Sequence, residues 1–478
     1  MSLFSSAIGN SSLLTYKKSI DITNQNMANV FTNGYSRKTP VFSDLVTGGV
    51  EISHVERSFD QNLHTRYISV NQRKASDEEY KGMLDQVETL YNDLQGSGLA
   101  SSMDAFFNAF NDVAVNPANT AARQEVLSAA QALTGRIRST HSDLEQIKSN
   151  TVLTFRDTVS QINELTSKLG ELNLNIGSGV TEATAKAAYL DERDRTLQSL
   201  STLIDTKVTY NANGTVNVAT AKGFDMVLQD KANTMSFSTD VQGDPHVTLG
   251  NIDITSDLQN GTLGGQLRGV NYLNKSLEDL NDFATAFSTV VNKQHTQGFD
   301  AAGTAGVDFF GKDPGSTLTK IDASNITLNL DDPALVAASA DSAYPESDNS
   351  NVKKLLELKT GFSGVLTPAE ENALIATLND FDGTASANFD YMKAHSFNEF
   401  YNSKIAASIG FEVQHVNTSL ETNSFLQESI DAQIQAKSGV NMDEELANLV
   451  KLQRAYEASA RIITVSDELL QTTLNMIQ

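Results

Sequence analysis

Apolar positions recur every seven residues at both ends of the chain, and this spacing is its main organisational signal. Near the start Leu13, Ile20 and Met27 form a row, with Tyr16 and Val30 three residues after its first and last members. At the finish Leu449, Tyr456, Ile463, Leu470 and Ile477 hold one heptad position. Leu446, Ala460 and Leu474 hold the position three residues earlier, where Gln453 and Asp467 interrupt the row. Such a pattern lays a narrow apolar stripe along a helix that needs a partner helix. Residues 441–478 alone would extend roughly 57 Å as a helix, at 1.5 Å per residue. The same spacing predicts helices over 80–94 (Tyr80, Val87, Leu94), over 119–176 after Pro117 (Phe155, Ile162, Leu169, Ile176, with Gly170 as the weak point) and over 266–293 (Val270, Leu277, Ala284, Val291). Helices of that length point to coiled coils or bundles.

Strand patterning sits elsewhere. Within 207–218 two alternating runs flank Asn213-Gly214, a pair that accepts the positive φ angles of a tight hairpin turn. A sheet is expected from there to about residue 260, with further strands at 320–330 and 222–229. Residues 340–395 are rich in Ser, Asp, Asn and Gly and predict only short helices. The expected fold is α+β and mainly α, with long helices from both chain ends forming coiled-coil or bundle domains around an inserted β-rich domain. The expected division is terminal arms 1–50 plus 430–478, a helical body 51–204 plus 262–300 plus 396–429, a β-rich domain 205–261 and a variable mixed insertion 301–395.

Composition narrows the chemistry. The chain has no Cys, so no disulfide framework, thiolate-held metal or Cys nucleophile is available. A net charge of -24 excludes nucleic acid as a partner, because phosphate binding depends on a basic surface that releases counterions. The acidity is uneven: residues 1–70 hold six basic groups against five acids, a balance of +1, which leaves -25 for the rest. A near-neutral arm on an acidic body suits an arm that packs against other chains. The first positive charges come only at Lys17, so a cleavable secretory signal is not expected. No run of about 18 apolar residues appears, so no membrane insertion is expected.

Candidate catalytic motifs fail on inspection. Gly306, Gly311 and Lys312 match phosphate-loop spacing, but Asp313 stands where Ser or Thr must hold magnesium. The seven histidines show no metal-ligand spacing. Asp443, Glu444 and Glu445 follow Asn441 and read as the capped, acidic first turn of a helix, not as a metal site. No nucleophile elbow or dinucleotide fingerprint occurs. No catalytic, cofactor or metal site is expected, and the chain is read as a non-enzyme.

Two segments carry a resemblance. Residues 26–40, NMANVFTNGYSRKTP, resemble the N-terminal signature of flagellar axial proteins, with Asn26, Ala28, Asn29, Gly34, Tyr35, Ser36 and Arg37 in matching places and Asn33 where rod and hook proteins often have Pro. Residues 438–477 resemble the closing signature of the flagellar hook-associated protein 1 family, through Glu444, Glu445, Asn448 and Leu449 and through Gln453, Ala455, Tyr456 and Ala458. The resemblance implies a structural axial subunit joining hook to filament, exported by the flagellar type III route and located outside the cell. It implies a homo-oligomer with the hook protein, a second hook-associated junction protein and an export chaperone, held through the C-terminal helix, as partners. The terminal arms are expected to stay disordered in the free monomer and to form antiparallel helices lining an inner tube on assembly. The assembly interface is expected at Leu13, Ile20, Met27, Leu446, Leu449, Tyr456, Ile463, Leu470, Leu474 and Ile477. A hook or distal-rod subunit, or an exported adhesin or enzyme, are the alternative readings.

Overall fold

The computed structural model describes residues 2–32, 34–46, 48–91, 98–178, 183–378 and 385–477; Asn33 and Leu94 lie outside them. In chain order the elements are α1 (Ser2–Ala28), β1 (Lys38–Asp44), β2 (Val50–Arg57), α2 (Gln61–Tyr91), α3 (Leu99–Val115), α4 (Thr120–Gly177) and α5 (Ala183–Leu203). Seven strands follow: β3 (Thr206–Tyr210), β4 (Val216–Thr220), β5 (Asp225–Leu228), β6 (Lys231–Ala232), β7 (Met235–Thr239), β8 (Pro245–Leu249) and β9 (Ile252–Asp253). The rest is α6 (Gly261–His295), β10 (Phe310–Lys312), β11 (Ile326–Leu328), α7 (Ser350–Glu357), α8 (Pro368–Ile375), α9 (Ala385–His395), α10 (Phe397–Phe400), a π-helical turn (Tyr401–Ala406), α11 (Ala407–Ser438) and α12 (Met442–Ile477). The fold is thus mainly α with small antiparallel sheets, as the heptad rows and alternating runs predict. The chain divides into a first unit, Met1–Asp77, Arg156–Gly265 and Ser419–Gln478, and a second, Glu78–Phe155 and Gln266–Thr418.

In the first unit α1 packs along α12. The pair is antiparallel, because Gly9 lies beside Ile463 while Asn26 bonds to Glu445. A Cβ at Gly9 would sit 2.6 Å from Ile463 Cγ1, so only glycine allows this approach. The hairpin β1–β2 lies against α1. Sheets β3-β4-β5-β6 and β7-β8-β9 bury Val216, Val218, Met226, Val227, Met235 and Val247. Two asparagines of α4 hold them: Asn173 exchanges both amide bonds with Val216, and Asn163 does the same with Met235, each the first residue of its strand. Each side chain thereby satisfies a strand's exposed N–H and C=O as a neighbouring strand would. The β3–β4 hairpin closes over five residues, Asn211–Thr215, not two. Gly214 N–H donates to Asn211 O, and of the pair only Gly214 takes a positive φ, +93°. This is the wider turn with a glycine bulge that also satisfies strand twist.

The second unit has a core built on phenylalanine. Phe106 and Phe110 of α3, Phe283 and Phe287 of α6, Phe309, Phe310, Phe362 and Phe397 are all buried in one cluster. Phe106 meets Phe110 edge-on at 5.2 Å and Phe287 meets Phe397 at 5.3 Å, the tilted geometry that aromatic quadrupoles favour. Here too an asparagine clamps a strand: Asn292 of α6 exchanges both bonds with Phe310, the first residue of β10. The segment with phosphate-loop spacing is this strand and its exit. Lys312 donates to the Leu318 carbonyl at 2.6 Å, and Asp313 Oδ1 accepts from Gly315 N–H, so both side chains serve the local turn.

Candidate functional site

The residues of the two terminal signatures, more than 400 positions apart in sequence, meet at one end of the α1–α12 pair. Asn26, on the last turns of α1, exchanges both amide bonds with Lys38, the first residue of β1 (2.8 and 3.0 Å), and its amide also donates to Glu445 Oε2 at 3.1 Å. Tyr35 donates its hydroxyl to Asn26 Oδ1 at 2.8 Å. Arg37 Nε binds Glu445 Oε1 at 2.7 Å while Nη1 reaches Glu444 at 3.0 Å, and Arg37 N–H donates to the Ser438 carbonyl. Glu445 is 3% exposed, and its carboxylate is offset by a guanidinium and an amide, which is what burying a charge requires. Burial and the nearby Asp191 and Glu445 carboxylates push the Tyr35 hydroxyl well above the usual tyrosine range, so it stays a donor.

Behind this clasp lies a second, buried set of charges. Ser36 donates to Asp191, which also pairs with Lys38 Nζ at 3.3 Å and Arg57 Nη2 at 2.9 Å; Arg57 reaches Asp194 at 2.8 Å. Gly34 has φ +72°, and a Cβ there would lie 2.6 Å from Arg195 Cγ, so the signature glycine both turns the loop and lets α5 approach. Between the 29–36 loop, α2, α5 and the end of α11 is a cavity of about 250 Å³. Its walls include Phe59, His64 and Tyr67. His64 Nδ1 shares a proton with the Tyr210 hydroxyl at 2.7 Å, and burial pushes the imidazole below its ordinary pKa.

Placing the predicted residues refines the pattern. Asn26, Tyr35, Arg37, Glu444 and Glu445 form the clasp, whereas Asn29 bonds only to its own helix, through Gln25 O, and to Thr32. Ala28, Asn448 and Gln453 are exposed. On α12 the row Leu449, Tyr456, Ile463 and Leu470 is half-buried toward α1 of the same chain. Its companion row is not Leu446 and Ala460 but Glu445, Leu452, Ser459 and Ser466, three residues further on; Glu445, Ser459 and Ser466 are buried. Leu446 stands 47% exposed. The side chains of Leu474 and Ile477 lie outside the described residues. On α1 the predicted row Leu13, Ile20 and Met27 flanks the seam, and the buried positions are Gly9, Thr15, Ser19, Ile22, Thr23 and Asn26. Hydropathy misses that row because hydroxyls mark it. Ser19 and Thr23 donate to carbonyls four residues back and Thr15 to Val50 O, so each is satisfied inside.

A second row of α12 is left exposed among the described residues. Ile462, Val465, Leu469 and Met476 are 45, 52, 59 and 82% exposed at spacings of three, four and seven, and Ala458 begins the same row. Among the described residues no cluster of metal-ligating side chains occurs, and no helix is long and apolar enough to cross a membrane.

Comparison with known proteins places this geometry. Residues 84–310 match the model of the flagellar hook-associated protein FlgK helical domain, and residues 433–476 the C-terminal model of the flagellar basal body rod FlgEFG proteins. Flagellar hook-associated protein 1 of Escherichia coli K12 is 26% identical, with 99% of this chain and 100% of that protein covered. The Bacillus subtilis protein of the same name is 25% identical over 97% of this chain and 96% of its own length. The structure of the hook junction protein FlgK from Burkholderia pseudomallei shares the fold, with a TM-score of 0.61 and 14% identity over 79% of this chain and 100% of that one.

Proposed function

Because this chain belongs to the flagellar hook-associated protein 1 family, structural components of the bacterial flagellum at the hook–filament junction, we propose that it is an axial subunit that polymerises through its terminal helices. The observation that carries this reading is the heptad row Ile462, Val465, Leu469 and Met476, left exposed on a helix whose adjacent face is already occupied by α1. A contiguous apolar row of this kind on a water-facing helix marks an interaction surface. Neighbouring copies supply the cover, with Leu13, Ile20, Met27, Leu446 and the half-buried row of α12 at the flanks.

In this reading the arms 1–50 and 430–478 line the inner tube, the helical body forms the wall, and the β-rich region 205–261 and residues 301–395 face outward. The arms order on assembly, since their seam is short of apolar area and isolated helix pairs depend on tertiary packing. The chain leaves the cell unfolded by the flagellar type III route, and its lack of Cys suits that route. An export chaperone covers α12 on the way, and the hook protein and a second hook-associated junction protein are its neighbours outside the cell. The relatives named above are structural, and we assign this chain no reaction.

Val465→Asp tests the proposal. The monomer is expected to keep its circular dichroism while the variant fails to join hook to filament in a strain lacking the natural chain; normal motility and attachment would overturn the polymerisation reading. Hydrogen exchange on monomers tests the coupled ordering separately, with rapid exchange expected in both arms and strong protection counting against it.

A further inference from the structure

Exposed apolar side chains occur on α12 in two strips. In its second half Ile462, Val465, Leu469 and Met476 form the row described above; in its first half Met442, Leu446 and Val450 are 40, 47 and 48% exposed. We propose that the second half of α12 in one copy lies on the first half of α12 in the next, both helices running the same way. The contact rests on the polymerisation reading above and adds to it a receiving surface, a polarity and a stagger.

The two strips flank the seam with α1 on opposite sides. Ile462 and Leu469 stand one residue before the seam positions Ile463 and Leu470, whereas Leu446 and Val450 stand one residue after Glu445 and Leu449. One residue turns a helix by about 100°, so one strip lies to one side of the seam and the other strip to the other. A single neighbour cannot cover both. Two copies closed as an antiparallel pair need both strips of each helix on one shared face, which this arrangement excludes. Each copy therefore meets one neighbour on each flank, and the contact repeats from copy to copy into rings or helical layers.

Charge selects which halves meet. Residues 446–461 carry Lys451, Arg454 and Arg461 against Glu457, a balance of +2; residues 462–477 carry Asp467 and Glu468 with no base, a balance of -2. All six are exposed, and among the described residues none of them forms an ion pair within the chain. Copies level with each other set like charge beside like. A shift of 16 residues, from 462 to 446, sets unlike halves together, and at 1.5 Å per residue it amounts to roughly 24 Å. The same shift brings Ile462, Leu469 and Met476 opposite Leu446, Gln453 and Ala460, which repeat at the same spacing of seven and flank the seam as paired helices require. The end copies of such a layer leave the acidic row bare at one end and the basic strip bare at the other, two different surfaces for two different neighbours.

The natural absence of Cys makes the contact directly testable. A chain with both Leu446→Cys and Ile462→Cys cannot bridge within itself, because roughly 24 Å of helix separates the two positions and a disulfide joins Cα atoms less than about 7 Å apart. Oxidised after assembly, it is expected to give a ladder of covalent trimers and longer chains. A product that stops at the dimer overturns the repeating contact; an assembled fraction without cross-links overturns the contact and leaves polymerisation standing. The charge argument is tested without any cysteine. Asp467→Lys with Glu468→Lys is expected to raise the concentration needed for assembly about tenfold, and Lys451→Glu with Arg454→Glu added in the same chain to restore it. Undiminished assembly of the first variant, or failure of the added pair to restore it, overturns the contact even where the double-cysteine chain does not assemble. Failure of the natural chain to assemble at all overturns the polymerisation reading itself.

Discussion

The second unit and the α1–α12 pair are both made of long helices with heptad rows, yet they bury different things. In the second unit the rows of α6 place Leu273, Leu280, Phe283 and Phe287 at essentially zero exposure, among further phenylalanines from α3, β10 and α10. In the terminal pair the inward row of α12 alternates Glu445, Leu452, Ser459 and Ser466 with half-buried Leu449, Tyr456, Ile463 and Leu470, against Thr15, Ser19, Thr23 and Asn26 of α1. Full burial of a Leu or Phe stabilises by about 1.5–3 kcal/mol, whereas a satisfied buried hydroxyl contributes little beyond its hydrogen bond. Heptad spacing thus sets the geometry of both regions alike, and the residues in the rows decide which holds together alone. The pair is specified by bonds and left short of apolar burial, as the proposed completion by neighbouring copies requires.

The contrast is open to direct attack. Phe287→Ala removes a ring that packs on Phe106, Phe310 and Phe397 at 5.7, 5.4 and 5.3 Å, and is expected to cost the second unit about 3–5 kcal/mol. Ile463→Ala, at a half-buried seam position, is expected to cost the terminal pair about 1 kcal/mol. Region-resolved hydrogen exchange in denaturant measures both, and equal losses would erase the distinction drawn here.

A pH scan sharpens it next. His295 is buried in the second unit, its Nδ1–H donating to Val307 O at 2.6 Å and its Nε2 accepting from Ala337 N–H at 2.8 Å, so it is held neutral. Burial pushes its pKa down to about 4, with Arg123 adding to the shift and the Val307 carbonyl opposing it. The unfolded chain takes up the proton first, near pH 6.5, so stability present above that pH is lost as pH falls toward 4, by about 3 kcal/mol in full. His141, also lowered by burial, adds in the same direction. Glu370 and Asp348, held at about 2, contribute only below about pH 4.5. Exchange protection in the second unit is therefore expected to fall between pH 6.5 and 4.5, and His295→Asn, though less stable throughout, to show a shallower slope. An unchanged slope in that variant would assign the loss elsewhere.

How much of this was legible in the sequence follows the same divide. The helix expected over 119–176 is α4, Thr120–Gly177, because its apolar rows sit in a real core and periodicity reports burial. The row Leu449 to Leu470 was visible for the same reason. The partner row on α1 was not, since Thr15, Ser19 and Thr23 read as solvent-facing until the Ser19 and Thr23 hydroxyls are seen to bond backward along the helix and that of Thr15 to bond the Val50 carbonyl. The hairpin β1–β2 escaped because β1 lies beside a signature segment and carries Pro40, which demotes a strand on propensity. The signature residues were identified, but that Arg37 meets Glu445 depends on a fold that joins the two chain ends, and no local pattern encodes it.

One device recurs in both regions and carries the contrast down to single side chains. Asn26 and Asn292 each exchange two hydrogen bonds with the first residue of a strand, Lys38 and Phe310, through bonds of 2.7–3.0 Å. Replacing either with Ala leaves a backbone N–H and C=O without their amide partner, a loss of about 1–3 kcal/mol where water cannot enter. Phe310 is fully buried, so Asn292→Ala is expected at the upper end, shared across a cooperative core. Lys38 is nearly buried, and Asn26 also bonds Glu445 and accepts from Tyr35, so Asn26→Ala is expected to free the Glu445 end of α12 and to leave the second unit untouched. Hydrogen exchange should show faster opening across the whole second unit in the first variant and only near residues 26–40 and 442–450 in the other. Global destabilisation by Asn26→Ala would mean that the terminal pair is part of the stable framework, and the contrast between the two regions would fall.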